Sequence, residues 1–448
     1  MSLRKTSLLL SLLIALAPAW AQIGQRFPSE KRVVPDPVTG TPLTFLTTQP
    51  RGDSKIYPSH PQWTADGQWL VFRSARVKGE AIAVNEASGE MVQVTEGGYD
   101  GMLNLAQSGG NKLYFLRKTA EPKVMQAVEV DLDRVFADSK AGAMKPAATY
   151  QRVIATLPAE LDAVGDNALD ADGQWFYFRV TGKAFAGARL PAGTKIEPPF
   201  GPRGMGAGPH AIGKVNVKTG EFKHVVSVPF QIGHIQANLW NPGELVFSWE
   251  TGGKSPQRTW TVKGDGTGLR PLYPEAPYEW VTHEAIIGKD EVALAIMGHR
   301  PVPGVEDVTR APGTDVGGAN PGQDAAWGNA GTREKPTGLA IVNLRTRESL
   351  IVGQTPSGSG LWHVHGSPDG RFAVGDDFSR SLYLIDRKTR EMVMLTTGHK
   401  TTARDHPHPT FSPDGKKIQI QSALLAADGR EMNICIVPVP QAWLDRKP

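Results

Sequence analysis

Cysteine is almost absent from this chain of 448 residues, which contains only Cys435. A single cysteine excludes an intrachain disulfide, so the fold must be stabilised by its core. No apolar run reaches the ~20 residues that a transmembrane helix needs, and we therefore expect no insertion into a membrane. The formal net charge is only +4, so bulk charge gives no argument for nucleic acid as a partner.

Two common catalytic signatures are also missing. The sequence has no Gly-x-Ser-x-Gly nucleophile elbow, and no stretch is left over for an α/β-hydrolase domain. The segment Gly204-Met205-Gly206-Ala207-Gly208 lacks the Lys-Ser/Thr pair of a phosphate-binding loop. The pattern shows no long amphipathic helix, whereas Gly and Pro are frequent, with 49 and 35 residues. This composition is typical of many short strands joined by turns.

Residues 1–21 have the pattern of a secretory signal. Arg4 and Lys5 precede a short apolar segment, and Ala19-Trp20-Ala21 is a small-x-small cleavage site. We expect Gln22 to begin the mature protein, and the periplasm of a Gram-negative bacterium is the expected location. Removal of Arg4 and Lys5 would lower the formal charge from +4 to +2.

A repeated unit predicts the fold. In each copy an Asp-Gly turn or a relative leads into an apolar or alternating strand, and Asp-Gly supplies the positive φ that a tight hairpin needs. A second turn, such as Lys218-Thr219-Gly220-Glu221, follows and separates two further strands. Each unit then has about four strands in roughly 40–60 residues, the size of a propeller blade. The clearest first turns are Asp66-Gly67, Asp172-Gly173, Asp369-Gly370 and Asp414-Gly415.

We therefore predict an all-β, seven-bladed β-propeller over residues 58–440. Residues 22–57 form a lead-in segment that helps to close the ring, and residues 441–448 form a C-terminal tail. Two segments, 184–209 and 299–336, exceed the length of an ordinary hairpin. They are interpreted either as loops over one face of the propeller or as solvent-exposed additions. The expected blades span residues 58–97, 100–157, 161–230, 232–274, 280–353, 361–397 and 404–440.

Five of the eleven histidines lie at the entrance to a repeat unit: His60, His234, His363, His406 and His408. Equivalent positions in the blades converge on the central channel, so residues far apart in sequence would form one cluster. Such a cluster has the geometry of a metal site or an acid/base site. The alternative for each histidine is a structural hydrogen bond, as in propellers that are not enzymes.

The His406-Pro407-His408 segment is the sharpest local signal. Positions i and i+2 of a strand point to the same side, so both imidazoles can face one ion. Together with His283, they would give three nitrogen ligands and leave positions open for substrate or water. Nitrogen-rich sites suit Mn, Fe, Ni, Cu or Zn, and the ligand type does not select among them.

Over residues 36–440 the sequence resembles the oligogalacturonate lyases of polysaccharide lyase family 22. That family consists of seven-bladed propellers that cleave short uronic-acid chains by β-elimination. The resemblance implies removal of the proton at C5, departure of the C4 oxygen, and a bound Mn²⁺ that stabilises the charge developing on the carboxylate. The matching stretches are Val94-Thr95-Glu96-Gly97, residues 215–221, Gly233-His234, Thr282-His283-Glu284, Val374-Gly375-Asp376 and residues 406–414.

The resemblance also implies roles for single residues. The metal ligands fall on His283, His406 and His408, and the base falls on His234, which follows Gly233 as in the family. A uronic-acid oligosaccharide is the implied substrate. We assign contacts with this substrate to His363, His365, His399, Arg404 and Trp362. Trp362 either stacks on a sugar or belongs to the core.

Two departures from the family are visible. Ala403 stands where the family has a glutamine ligand, and the position of the family's arginine falls near Ala211. His365 could supply the lost ligand. Arg203, Arg404 or His210 could supply the lost charge, and we take His210 as the second catalytic candidate.

Three functions therefore stay open. The first is an exported, metal-dependent lyase that acts on pectin-like oligogalacturonates or related uronates. The second is a non-catalytic periplasmic propeller of the translocation-protein type, which binds a sugar or a protein. The third is a relic of a lyase that keeps the metal and binds sugar without turnover.

Overall fold

The computed structural model describes residues 22–199, 202–252, 255–276, 279–299, 337–354 and 361–446. The expected signal segment, and all but the first residue of the expected insertion 299–336, lie outside the described residues. Seven antiparallel sheets surround the channel as blades, which confirms the predicted seven-bladed β-propeller.

The first four blades follow the chain, with the strands given from the channel outwards. Blade 1 also carries Arg26–Phe27 as an outermost strand, paired with Met91–Gln93. The strands of blades 1 to 4 are Ser54–Lys55, Trp69–Arg73, Ala81–Asn85 and Met91–Gln93; Asp100–Leu105, Lys112–Lys118, Met125–Asp131 and Gln151–Leu157; Ala163–Leu169, Trp175–Val180, Ala207–Asn216 and Phe222–Phe230; and Ile232–Ala237, Glu244–Trp249, Thr259–Lys263 and Arg270–Pro271.

The last three blades complete the ring. Blade 7 takes its two outer strands from the N-terminal part of the chain. The strands of blades 5 to 7 are Glu279–Gly288, Glu291–His299, Gly338–Asn343 and Ser349–Gly353; Val364–Gly366, Phe372–Asp376, Leu382–Asp386 and Met392–Thr396; and Thr410–Phe411, Lys417–Ser422, Asn433–Pro438, Pro42–Phe45 and Arg32–Pro35.

The Asp-Gly turns join the inner strand of a blade to its second strand. In blade 6, the Ser367 hydroxyl donates to Asp369 Oδ1 at 2.6 Å, and the same oxygen accepts from the backbone N–H of Arg371 at 3.1 Å. Gly370 follows with φ of 73°, a left-handed conformation that glycine adopts without strain. The local hydrogen bonds therefore explain why this motif marks the start of so many blades.

The N-terminal strands close the ring. Pro42–Phe45 pairs with Asn433–Pro438, with Phe45 opposite Cys435. Arg32–Pro35 then pairs with Pro42–Phe45 as the outermost strand. Blade 7 thereby combines strands from the N-terminal and C-terminal parts of the chain.

The core is divided among the seven contacts between neighbouring blades. Seven clusters of buried apolar residues occur among the described residues, one at each contact. At the closing contact, Leu70 and Phe72 of blade 1 share a cluster with Ile434 and Ile436 of blade 7. Burial of this kind holds the ring shut and fixes the inner strands around the channel.

Helices are few and short. None of those in the described part of the chain combines the length and the hydropathy of a membrane-spanning segment. The α-helices are Leu132–Ala141, Lys183–Gly187 and Gln441–Leu444, and the 3₁₀ helices are Ala147–Thr149, Ala159–Leu161 and Pro202–Gly204.

Candidate active site

Four of the five histidines predicted to converge meet, together with His283, at the end of the channel where the inner strands begin. The fifth, His60, lies apart: its Nε2 contacts the carbonyl oxygen of Asn167 at 2.8 Å, and it lines another cavity. His363 lies at the centre of this group, with ring centroids 4.2 Å from His283, 5.1 Å from His406 and 3.9 Å from His408. The ring of His234 lies 6.2 Å from that of His283. These residues come from blades 4 to 7, and we call them the histidine cluster: His234, His283, His363, His406 and His408.

Two aromatic rings border the histidine cluster. Trp362 packs on His283 at 4.4 Å and on His406 at 5.7 Å between centroids. Tyr57, from blade 1, lies 4.9 Å from His234 and 5.3 Å from His408. Trp362 was a predicted residue of the site, whereas Tyr57 was not predicted from the sequence.

Three of the histidines adopt a left-handed backbone. The φ angles are 51° at His234, 37° at His283 and 54° at His408. At His234 and His283 the strand pairing is interrupted by a bulge, and His408 precedes its strand, which begins at Thr410. Such a backbone is costly for a residue with a side chain and tends to persist at functional sites. The two bulges turn the imidazoles of His234 and His283 towards the channel.

A buried carboxylate links two members of the cluster. Asp376 is fully buried and accepts from the backbone N–H of His363 at 2.6 Å. Its oxygens lie 3.3 Å from Nδ1 of His363 and 3.3 Å from Nδ1 of His406. Burial opposes ionisation, but these contacts with His363 and His406 hold the pKa of Asp376 well below its usual range. Asp376 is therefore a buried carboxyl group whose contacts favour its ionised form.

Burial favours the neutral form of two neighbouring imidazoles, those of His363 and His283. Burial, with a further contribution from His408, lowers the pKa of His363 to about 3. Burial and the nearby His363 lower the pKa of His283 well below its ordinary value. Neutral imidazoles offer nitrogen lone pairs, which is the form that binds a metal ion.

The chemistry of these donors fits a divalent metal ion. The ligand atoms of His363, Asp376 and His406 lie within 4.8 Å of one another. Nδ1 of His406 is buried, and the polar group that it faces is the carboxylate of Asp376, at 3.3 Å. Two imidazoles and one carboxylate suit first-row ions such as Mn²⁺ or Fe²⁺. His406 was predicted as a metal ligand and His363 as a substrate contact, while Asp376 had no assigned role.

The predicted base, His234, is held between two glutamates. Its Nδ1 lies 3.2 Å from Glu284, and its Nε2 lies 3.4 Å from Glu250. Arg258 bridges the same carboxylates, at 2.9 Å from Glu284 and 3.5 Å from Glu250. Burial opposes protonation of His234, but Glu284 raises its pKa above the ordinary value. A raised pKa makes the imidazole a stronger base once it has lost its proton.

Arg380 reaches the histidine cluster from a turn of blade 6. Its guanidinium contacts Nε2 of His406, and its Nε is buried without a hydrogen-bond partner among the described residues. No ion pair between Arg380 and a carboxylate occurs in the described part of the chain, in contrast to Arg258. Arg380 therefore brings a positive charge that a ligand can use.

Two of the predicted residues have their partners outside the histidine cluster. Both ring nitrogens of His399 are hydrogen-bonded, to Ser422 at 2.7 Å and to Thr396 at 3.0 Å. Arg404 forms an ion pair with Glu431 at 2.5 Å, and its side chain is 63% exposed. Neither residue contacts the histidine cluster in the described structure.

His365 and His210 also lie apart from the cluster. His365 is two residues further along the channel than His363 and lines a different cavity of about 250 Å³. His210 accepts from the backbone N–H of Ile232 through Nδ1, and burial lowers its pKa to about 4. A neutral His210 cannot supply the positive charge expected of it near neutral pH.

Sequence analysis missed several residues that shape the site. Asp376 and Glu284 stand in stretches that resemble the lyase family, and Glu284 directly follows His283. These stretches were therefore a signal that could have indicated both carboxylates. Tyr57, Arg258 and Arg380 have no repeat motif around them, and only the folded chain brings them to the channel.

Comparisons with known proteins relate the chain to structures rather than to sequences. No protein-family model matches the sequence, and no curated protein matches it. Among solved structures, an oligogalacturonate lyase in complex with manganese is similar, with a TM-score of 0.69 and 18% identity over 95% of this chain and 100% of that chain. An oligogalacturonate lyase from Vibrio parahaemolyticus has a TM-score of 0.66 and 18% identity over 94% and 100%.

A structure built of WD40 repeats is less similar. The WD40 repeats of RRP9 have a TM-score of 0.51 and 9% identity, over 91% of this chain and 100% of that chain. At these identities the comparisons establish the propeller fold, and the chemistry must be argued from the side chains.

Proposed function

We propose that this protein is a metal-dependent lyase that cleaves uronate-containing oligosaccharides by β-elimination. The observation that carries the proposal is the buried Asp376 within a cluster of five histidines. Neutral imidazoles, one carboxylate and a nearby strong base are the groups that this reaction needs. The structural similarity to two oligogalacturonate lyases makes oligogalacturonate the first substrate to test.

His234 is the proposed base. A proton at C5, next to the sugar carboxylate, is weakly acidic, so its removal needs a base of raised strength in a site with little water. Glu250 and Glu284 strengthen and orient the imidazole. Arg258 stays bound to both glutamates and balances their charge.

The proposed ligands of a divalent ion are His363, Asp376 and His406. Two further histidines, His283 and His408, adjoin this set. His406 is common to this set and to the one that the family resemblance implies. A cation here, proposed to be Mn²⁺, would bind the substrate carboxylate and stabilise the negative charge that develops next to C5. Asp376 would partly neutralise the ion and fix the two imidazoles.

Arg380 is proposed to take the place of the missing family arginine. Its guanidinium presents several donors and is always charged, which suits a uronate carboxylate. Ala403 leaves the position of the family glutamine without a ligand, and Asp376 offers a carboxylate instead.

We also propose that the protein acts after export, in the periplasm. The proposal rests on the sequence pattern of residues 1–21. To test this proposal, the protein is purified from the periplasmic fraction and its mass is measured. A chain that begins at Gln22 supports the proposal, whereas a chain that keeps residues 1–21 and stays in the cytoplasm contradicts it.

The reaction is tested with a panel of purified oligouronates in the presence of Mn²⁺. Oligomers of galacturonate, glucuronate, mannuronate and guluronate are mixed with the mature protein, and the absorbance of the unsaturated uronate product is followed. We expect an increase with at least one substrate and its loss in His234→Ala. His224→Ala is a matched control, since His224 lies on the outermost strand of blade 3, and its side chain contacts Ser227 and Phe185.

Binding of the same oligomers is measured by calorimetry in parallel. Binding without product formation would replace the lyase by a sugar-binding propeller. A protein that binds metal but neither cleaves nor binds any of the oligomers would contradict the proposed substrate class.

A further inference from the structure

A turn of blade 1 divides the central channel into two sides. The chain leaves the inner strand after Lys55 and rejoins its neighbour at Trp63. Within this excursion the backbone N–H of His60 donates to the carbonyl oxygen of Tyr57 at 3.0 Å. Tyr57 faces the histidine cluster, whereas residues 58–61 line a cavity at the end of the channel where the inner strands finish. We call this cavity the lower chamber.

The lower chamber belongs to the ring itself. Its walls come from blades 1, 2, 4, 5, 6 and 7, and its volume is about 250 Å³. Pockets of ~300–1,000 Å³ hold drug-sized molecules. A chamber of this size therefore fits a smaller ligand, such as a single sugar ring.

Apolar surface covers much of the lower chamber. Trp240 stands on its wall and is 41% exposed, and it is the only aromatic residue among the exposed large hydrophobic residues of the described chain. Phe411 and the prolines Pro58, Pro61 and Pro413 extend this surface. An exposed indole offers a flat apolar face, and the C–H face of a sugar ring can pack on it.

Two polar side chains of the wall keep unused hydrogen-bonding atoms. Gln62 is 1% exposed, and its Nε2 donates to two backbone carbonyl groups of the turn at 3.1 and 2.7 Å. Its Oε1 has no partner among the described residues. Both hydrogen bonds of the His365 ring, with the backbones of Gly366 and Phe411, involve Nδ1, so Nε2 has no partner in the described part of the chain. Buried polar atoms without partners are costly and rare, and a ligand with hydroxyl groups would supply them.

The lower chamber has no ionic side chain on its wall. None of the described residues that line it is Asp, Glu, Lys or Arg. Burial lowers the pKa of His60 to about 4, so this imidazole is neutral near neutral pH. Lys55 does not line the chamber, and its Nζ donates to Thr410 at 2.7 Å and to the carbonyl oxygen of Ile56 at 3.1 Å. A uronate carboxylate would find no cation on this wall, whereas the histidine cluster has Arg380 beside it.

We propose that the lower chamber is a second binding site, which takes a neutral sugar ring. The C–H face of the sugar packs on Trp240, and its hydroxyl groups bond to Oε1 of Gln62 and Nε2 of His365. This inference goes beyond the proposed function, because it requires neither a metal ion nor cleavage. The two ends of the channel then differ in their ligands, with uronates at the histidine cluster and neutral sugars in the lower chamber.

Calorimetry on the mature protein with galactose, glucose, arabinose and xylose tests the inference. We expect at least one of these sugars to bind, and Trp240→Ala to weaken its binding ~10-fold or more, because the indole face is lost. Trp240→Phe keeps an aromatic face and should retain most of the affinity. The control is Leu269→Ala, since Leu269 is 38% exposed in an outer turn of the same blade and does not line the chamber. That variant should bind the sugar like the unmodified protein.

Two further probes test the chemistry of the ligand. Galacturonate differs from galactose only at C6, where a carboxylate replaces the hydroxymethyl group. Its binding should not change in Trp240→Ala, because the lower chamber offers no cation. Cyclohexanol has a ring of similar size with one hydroxyl, and it should bind more weakly than the sugar because it leaves the polar atoms of the wall without partners.

The outcomes separate this inference from the proposed function. Failure of all four neutral sugars to bind, or binding that Trp240→Ala leaves unchanged, overturns the inference. An equal loss of galacturonate binding in Trp240→Ala overturns the selectivity for neutral sugars, and equal affinity for cyclohexanol overturns the role of the polar atoms. Cleavage of uronates is measured separately and should be the same in Trp240→Ala as in the unmodified protein, so either idea can fail without the other.

Discussion

Replacement of Glu284 by glutamine should lower both the free energy of unfolding and the pKa of His234. Glu284 is completely buried and contacts both His234 and Arg258. At 3.2 Å, with an effective dielectric constant of ~20, two unit charges attract each other by ~5 kcal/mol before the cost of burial. Removal of one partner of a buried ion pair typically costs ~3–5 kcal/mol. Because Glu250 still partners Arg258, we expect Glu284→Gln to lose ~3 kcal/mol of unfolding free energy.

Urea unfolding gives the first measurement. It is carried out below pH ~6.5, because a histidine whose pKa is raised by folding stabilises the protein fully only below its unfolded pKa. Glu90→Gln is the matched control, since the Arg26–Glu90 pair has side chains 32% and 53% exposed. That control should change the unfolding free energy by less than ~1 kcal/mol.

The second measurement is the titration of His234, followed by NMR. Loss of Glu284 should lower the pKa of His234 by at least ~1 unit, since one unit corresponds to ~1.4 kcal/mol of differential interaction. A stability loss no larger than that of Glu90→Gln, with an unchanged titration, would refute the argument for this ion-pair network.

Three further predictions address the metal, the pH dependence and the closure of the ring. Asp376→Asn should weaken metal binding by ~10–100-fold, measured by competition with a chelator, and unchanged affinity would exclude Asp376 from the donor set. A base acts only without its proton, and the pKa of His234 is raised above 6.5. We therefore expect kcat/KM to increase with pH, with a midpoint above 6.5. A midpoint below that value would contradict His234 as the base. Phe45→Ala should cost ~3–5 kcal/mol in thermal unfolding, because Phe45 is fully buried in the closing blade; a negligible loss would mean that this strand is not needed for closure.

The blades were predictable because their signals are local. Motifs such as Ser367-Pro368-Asp369-Gly370 encode a turn within a few residues, so each copy marks the step from an inner strand to the next one. The closing strands Arg32–Pro35 and Pro42–Phe45 carry no such motif. Their partner, Asn433–Pro438, is almost the whole chain away, so only the expected need to close a ring indicated them.

The site was predictable where it uses the repeat. His363 and His408 each stand six residues before an Asp-Gly turn, His406 stands two residues earlier, and His234 leads a similar unit. The ring symmetry of a propeller brings these positions together. His365 has the same i, i+2 spacing from His363, yet it lies further along the channel. Spacing along a strand gives the side on which a residue points, but not its depth in the channel.

The remaining site residues could not be predicted in this way. Arg380 lies in a turn after the second strand of blade 6, and Arg258 precedes the third strand of blade 4. Tyr57 reaches the channel because the chain leaves the regular strand between Lys55 and Trp63. These positions depend on tertiary packing, and no short sequence pattern encodes them.

The central claim is that the histidine cluster holds a divalent metal ion. Metal content by mass spectrometry, with the unmodified protein beside His406→Ala/His408→Ala, tests it most directly. We predict one Mn²⁺ or another divalent ion per chain in the unmodified protein and its loss in the double variant. Absence of metal from both folded proteins after incubation with Mn²⁺, or equal metal content in both, would contradict the account.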